Sequence, residues 1–514
     1  MKKLLAVFAS LLLLTGCGTQ PGEIVTAPEM PPAPSEGVSI RLSDDAITVE
    51  GDTENAVTTA NDIVYYPTGK DFTFGEGTEA DAHEAAQADA HTVVHISKPG
   101  TYTVTGTIRQ GQIAVDLGEE AQSDPEAVVT LVLDNADITC TVAPAIIFYN
   151  VYECGDKDAP AETVDTAAAG ANVVLAEGSV NRVNGAYVAR IYKEGTVELS
   201  EDGTEVVDAK KLHKYDATLY SKMSMNVDGT GELYIDAENE GLDSELHLTI
   251  NGGEIHIRSG NDGINTNEDG VSVTTVNGGL VDIVVTGETG EGDGIDSNGW
   301  LVINGGEVRA AACNNSADAG IDSDMGIDLN GGTVIASGHM LDRIAGGSDT
   351  YCVFTFTQTQ EGGQTYTLKN ADGETVLTAV PENGFSILIL AAADLPKGEY
   401  SLYCGEDCLM VAPGGMGGGM RPMGDRMPPE GMEFPEGERP EPPEGMEFPE
   451  GERPEPPEGM ELPEGERPEL PEGMTPPEGG FGGRGFKGEA FEISEASERF
   501  TVKTGENMFT VVMD

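Results

Sequence analysis

The chain has 514 residues, with 90 Asp and Glu against 28 Lys and Arg, for a formal net charge of −62. That balance excludes nucleic acid or an anionic membrane surface as the main partner, since both are bound through a basic footprint. With 68 Gly and a single Trp, the composition predicts many short strands joined by turns rather than a helical protein.

At the amino end, Lys2 and Lys3 precede an apolar run from Leu4 to Leu14 and then Leu14-Thr15-Gly16-Cys17. The run is shorter than the ~20 residues of a membrane span and reads as a signal peptide over residues 1–16. Its end resembles a bacterial lipobox, which implies cleavage before Cys17 and lipidation of its sulfur. Residues 17–37, rich in Pro, Glu and small side chains, are expected to tether the folded part to the membrane, touched only through that lipid. The expected location is extracytoplasmic, anchored to the cell membrane and exposed at the cell surface. Cys140, Cys154, Cys313, Cys352, Cys404 and Cys408 follow. Disulfides are permitted outside the cytoplasm, with Cys404–Cys408 and Cys140–Cys154 the nearest pairs, and free buried thiols are an equal alternative.

Residues 38–210 read as β structure forming irregular or capping coils, with a short helix over a loop within Ala80 to Ala90. The next stretch carries an internal repeat. Asn-Gly-Gly recurs at Asn251, Asn277, Asn304 and Asn330, in steps of 26, 27 and 26. Interleaved with it is Gly-(Leu/Ile)-(Asp/Asn)-(Ser/Thr), beginning at Gly241, Gly263, Gly294 and Gly320. A period near 26 with about three short strands and Gly/Asn corners fits one coil of a right-handed, single-stranded parallel β-helix of the pectate-lyase-like kind; a propeller blade needs a period of ~40. Regular rungs are expected over about 211–345 and a β-rich cap over 346–412, together forming one domain over 38–412. Residues 413–488 are low-complexity, with PPEGMEFPEGERPE recurring at a period of 14, and are expected to form a disordered Pro/Glu/Met-rich insertion. From Gly414 to Lys487 there are 18 acidic and 7 basic residues, which explains −11 of the −62. Strand-like segments resume over 489–514, at Phe491–Ile493, Arg499–Val502 and Met508–Met513.

The acidic residues of the rungs carry the chemistry. Side chains alternate along a strand, so Ile295 and Ser297 facing inward place Asp296 and Asn298 outward. The same alternation sets Asp243, Asn265, Asp296 and Asp322 in one exterior column and Glu245, Asn267, Asn298 and Asp324 in a second. Rungs stack at about 4.8 Å, where neighbouring carboxylates repel unless a cation lies between them. Oxygen ligands at that spacing suit Ca²⁺, with Asp262 and Asp293 at the adjoining corners able to complete its shell. The plain alternative is a solvated acidic face whose Asp and Asn serve only as turn formers.

These residues, with Ser39-Ile40-Arg41-Leu42, Gly100 to Ile108, Val132 to Thr139, Leu175 to Gly178, Ala217 to Ser221 and Gly398 to Leu402, resemble a secreted, calcium-binding, parallel β-helix family of carbohydrate-binding domains (polygalacturonate/cellulose-binding type), long catalogued as a domain of unknown function. The resemblance covers roughly residues 38–410. It implies an acidic, pectin-like polysaccharide as partner, and calcium ligands at the Gly-x-Asp-Ser positions. The chain departs from the pattern at Asn265, at the step of 31 residues between Ile264 and Ile295, and at Ala319, where the two preceding coils have Asp262 and Asp293.

For contacts to sugar, Arg258, Arg309 and His256 are expected outward on the strand after the Asn-Gly-Gly turn, and Trp300 outward with a stacking face; ordinary surface roles are the alternative. Three functions follow. One is a monomeric, calcium-dependent polysaccharide binder. Another is a pectate-type lyase, which needs a base beside the metal. The third is a structural surface protein or adhesin stiffened by Ca²⁺. The rung region has no Lys between Lys222 and Lys369, which favours a non-catalytic binder over a lyase.

Overall fold

The computed structural model describes residues 37–414 and 496–513. The signal peptide, Cys17, the tether through residue 36, the repeat from 415 to 488 and the expected strand at Phe491–Ile493 lie outside them. Among the described residues there are 38 strands and one α-helix, Ala85–Ala88, inside the stretch where a helix was expected. The protein is all-β.

Three parallel ladders dominate, and the chain visits them in turn. The first holds Ala217–Ser221, Glu240–Ser244, Ile264–Thr266 and Ile295–Ser297. The second holds Met225–Gly229, His247–Ile250, Val273–Val276, Trp300–Ile303 and Gly326–Leu329. The third holds Glu232–Ala237, Glu254–Ser259, Leu280–Val285, Glu307–Ala311 and Thr333–Gly338. Parallel pairing also runs far upstream of residue 211, through Thr92–Ile96, Gly111–Asp116 and Ile146–Asn150 in the first ladder, and through Gly100–Ile108, Val129–Cys140 and Val180–Gly185 in the third. Long connections such as residues 151–170 break the 26-residue period there, which hides the continuity from the sequence.

Each circuit delivers its branched apolar residues to one continuous core. Leu242, Leu248, Ile250, Ile255 and Ile257 are followed by Ile264, Val276, Val281 and Ile283, then by Ile295, Leu301, Ile303 and Val308, all buried. Burial of each such side chain contributes about 1.5–3 kcal/mol. The last parallel strand, Thr333–Gly338, is covered by the antiparallel strand Phe385–Ala392, which closes an edge otherwise open to another chain. That strand also pairs with Thr350–Gln360, which receives Glu506–Val512 from beyond the repeat. A second core of Phe354, Phe356, Tyr366, Phe385, Leu402, Phe500 and Phe509 fills this end. All six described cysteines are free, with Cys140, Cys313 and Cys352 buried, so of the two alternatives the structure has free thiols.

The Asn-Gly-Gly corners follow from the closeness of successive coils. A Cβ on the first glycine of the corner at 304–306 would lie 2.5 Å from the Asn277 carbonyl oxygen. At the corner 277–279 the second glycine, Gly279, has φ +81° and its Cβ would lie 2.4 Å from the Gly253 carbonyl oxygen. The asparagines stack: Asn277 Nδ2 donates to Asn251 Oδ1 at 2.9 Å, Asn304 to Asn277 at 2.9 Å, and Asn330 to Asn304 at 3.1 Å. Replacing Gly279 with Ala should cost at least about 2 kcal/mol, from left-handed backbone strain plus the clash. Asn304→Ala, which removes two ladder bonds, should cost about 1–2 kcal/mol. Denaturant unfolding of both variants checks the order; a neutral Gly279→Ala would show that the coils are not packed this closely.

Candidate metal-binding site

The first ladder carries the polar chemistry on its outward face. Tyr220, Asp243, Asn265 and Asp296 occupy one register column, with Ile321 bridged to Ile295 beside Asp322. The glycine of each motif is required by packing: a Cβ on Gly263 would sit 2.2 Å from Ile283 and 2.6 Å from the Gly294 carbonyl oxygen. At that bend the residue before the glycine joins the same side. Glu240 Oε1 accepts from Asn265 Nδ2 at 3.3 Å.

Asp216, Glu240 and Asp243 converge, with one carboxylate oxygen from each lying within 4.8 Å of the others. Asp243 is fully buried, and Glu240 and Asp216 are 6% and 7% exposed. The column expected on the exterior is therefore covered at Asp243 and Asn265 and half-buried at Asp296 and Asp322. Asn267 Nδ2 donates to both oxygens of Asp243 at 2.9 Å. Lys214 Nζ reaches Asp216 Oδ2 at 2.6 Å from the strand Lys211–Tyr215. Two acceptors in this group, Glu240 Oε2 and Asn265 Oδ1, are buried with no hydrogen-bond partner, an arrangement that costs about 1–3 kcal/mol per group.

Burial, then the charges of Asp243 and Asp216, holds the Glu240 carboxyl well above the usual carboxylate range. Burial, then Glu245 and Asp216, does the same to Asp243. A hard cation fits these residues: three converging carboxylates form an all-oxygen donor set, and Glu240 and the neighbouring Asn265 each keep a buried acceptor unsatisfied. Such an ion would compensate the repulsion that otherwise drives the group toward protonation. Asp216, Glu240 and Asp243 could hold a metal ion.

The other expected ligands divide. Asp262 Oδ1 accepts the Asp293 N–H at 2.7 Å and Asp293 Oδ1 accepts the Ala319 N–H at 2.5 Å, so each also caps the next coil's backbone. Burial, then the charges of Glu240 and Asp296, holds Asp262 well above the usual range, and burial with neighbouring aspartates pushes Asp293 up to about 10 and Asp322 up to about 7. Glu245 is drawn aside, accepting from the Tyr220 hydroxyl and pairing with Lys211 at 3.0 Å. Asn298 donates to the Asn267 carbonyl at 3.0 Å. Asp296 is half-buried in the column and Asp324 exposed beyond it. Asp216 and Glu240 escaped sequence reasoning. The available signal was Glu240-Gly241, which repeats as Asp262-Gly263 and Asp293-Gly294.

The residues considered for sugar contact lie elsewhere. Arg258 and Arg309 are exposed on the third ladder, as expected. Arg182, Tyr234, His256, Asp282 and Arg309 form one column there. The Tyr234 ring, 38% exposed, stacks on His256 at 4.7 Å and 11°, Arg182 lies 5.5 Å from the Tyr234 ring centre, and His256 Nδ1 meets Asp282 at 3.2 Å. Arg309 pairs with Glu307 at 2.7 Å. Trp300 is half-buried on the second ladder, two coils along from buried His247, and does not join His256, Arg258 and Arg309.

Asp293 and Asp322 bind their protons more tightly in the folded chain than at the usual unfolded value near 4. Without divalent cation their contribution to stability is therefore greatest at low pH. It falls as pH rises from about 4, through about 7 for Asp322 and on toward about 10 for Asp293. Thermal unfolding in chelator should show a melting temperature that declines between about pH 5 and 8, and Ca²⁺ should flatten the decline. A profile that is flat in chelator would contradict the buried column.

A family model described as "Carbohydrate-binding domain-containing protein" matches residues 90–379. A protein of that same description from Acetivibrio thermocellus is 30% identical over 167 residues, which are 32% of this chain and 45% of the relative. The match thus spans less than half of that relative's length. Among solved structures, a polysaccharide lyase-like protein from C. thermocellum, determined as a gadolinium derivative, aligns at a TM-score of 0.34 and 21% identity over 60% of this chain and 95% of its own. Because the family match covers more than half of the chain and includes all three ladders and the acidic cluster, the chain belongs to the family of carbohydrate-binding domain-containing proteins.

Proposed function

We propose that the chain is a calcium-dependent binder of acidic, pectin-like polysaccharide, built on a right-handed parallel β-helix and held at the cell surface by lipid on Cys17. The observation that carries the reading is the buried Asp216–Glu240–Asp243 group with Glu240 Oε2 and Asn265 Oδ1 unpartnered, in a member of a carbohydrate-binding family. Ca²⁺ is the hard divalent ion that best tolerates an irregular oxygen shell. A cation held by this group would neutralise most of its buried negative charge and so lower the repulsion that this acidic chain presents to a uronate polymer. Exposed Arg258, with the partly exposed edge of the Tyr234 ring, supplies a separate surface suited to hydrogen bonding and apolar contact with sugar rings.

A lyase reading finds less support. Arg258 and Arg309 lie on the third ladder while the acidic group lies on the first. Lys214 beside the group is a poor base: burial works against its charge, yet Asp216, Glu240 and Asp243 hold its ammonium above the ordinary lysine range.

Immobilised polygalacturonate should retain the protein in Ca²⁺ and release it in EGTA, and Asp243→Asn should weaken retention at least tenfold. Equal retention in EGTA would refute the calcium dependence. Steady formation of ultraviolet-absorbing unsaturated product would establish the lyase instead. No retained glycan, with Ca²⁺ still raising the melting temperature, would leave the structural role.

A further inference from the structure

We propose that Lys214 is a tethered counterion which competes with a divalent cation for the Asp216–Glu240–Asp243 group and must be displaced for that cation to enter. The proposal rests on the reading of this group as a metal site. Its Nζ lies 2.6 Å from Asp216 Oδ2, where the Asp216 side chain is only 10% exposed and that of Lys214 is 41% exposed. An ammonium has three donors and no acceptor, so it binds the same oxygen lone pairs that a metal would use. A full positive charge a few ångströms from a divalent ion also opposes it directly.

Displacement needs only the lysine side chain to move. The strand Lys211–Tyr215 pairs with Val188–Tyr192 in a two-stranded sheet separate from the ladders. It is anchored by Tyr215, buried against Tyr149 and Tyr220, while the Lys214 side chain stays partly open to solvent. Two ion pairs reach from it to the ladder region, Lys211 to Glu245 at 3.0 Å and Lys214 to Asp216. Meanwhile Glu240, 6% exposed, keeps one oxygen without a partner in the same group, a vacancy that the single ammonium does not fill. The lysine offsets part of the buried charge in the absence of metal and yields its place when a better-charged ion arrives.

The test is calorimetric Ca²⁺ titration of the full chain and of Lys214→Met and Lys214→Arg, with amine labelling of Lys214 read by mass spectrometry. Lys214→Met should bind Ca²⁺ at least tenfold more tightly than the parent. It should melt lower in EDTA, and show a larger Ca²⁺-induced rise in melting temperature. Lys214→Arg, which keeps the charge, should stay near the parent affinity and reports that the site survives substitution. Labelling of Lys214 in the parent should increase on Ca²⁺ addition while that of Lys157 does not. A parent that binds Ca²⁺ with Lys214→Met equal or weaker, or with Lys214 labelling unchanged, would overturn the proposal and leave the metal site standing. No Ca²⁺ binding by the parent or either variant, as with Asp243→Asn, would instead overturn the metal reading beneath it.

Discussion

The distance between hydrogen-bonded strands, about 4.8 Å, governs the rest of this molecule. Whatever one coil places at a given position, the next places within contact of it. For apolar residues this builds a core without gaps, as Leu242, Ile264 and Ile295 show in one column. For asparagine it makes a ladder in which each amide both gives and receives. For glycine it sets the corner, since no Cβ fits beneath the neighbouring carbonyl. For carboxylates it does the reverse, forcing like charges together and, where they are covered, driving them toward protonation. One spacing therefore produces both the most stable and the least stable features of the fold.

How far the sequence reveals this depends on periodicity. From Gly241 to Gly332 the interleaved motifs are regular, so the strands, the corners and the column through Asp243, Asn265 and Asp296 were all legible. Upstream, the same ladders continue through residues 92–185, but connections of unequal length conceal them. The buried acidic group was half legible. Asp243 lies in a motif, whereas Asp216 precedes Ala217–Ser221, a strand with no repeat signature, and Glu240 shares its side with Asp243 only because the chain bends at Gly241. Lys214 was not legible at all, because a lone lysine on a separate ribbon has no period to betray it. The alternation argument gave the direction of Asp243 correctly and its exposure wrongly: pointing away from the core is not the same as pointing into water when another segment lies above.

The two polar faces differ in how they handle charge. On the third ladder opposite charges alternate with rings: His256 sits between Tyr234 and Asp282, and Arg309 finds Glu307. These residues are exposed or half-buried, their pairs are individually worth little, and the surface is available to a partner. On the first ladder acids follow acids under cover, and the few cations come from outside the stack, through Lys211 and Lys214. Of the two, the second is the one whose properties should change with the ions around it, because the ammonium beside Asp216, Glu240 and Asp243 comes from outside the coils.

The strands on either side of the repeat region bear on how this gene product can vary. Val411 and Ser497 are directly bridged, and Met410–Pro413 pairs antiparallel with Glu506–Val512, so the chain departs after Gly414 and returns at residue 496 side by side. The 81 residues between, 415–495, thus begin and end at one seam of the sheet. Both ends of that stretch are therefore fixed by pairing among the described strands, Val411 with Ser497 and Met410–Pro413 with Glu506–Val512, whatever number of 14-residue periods the sequence holds between them.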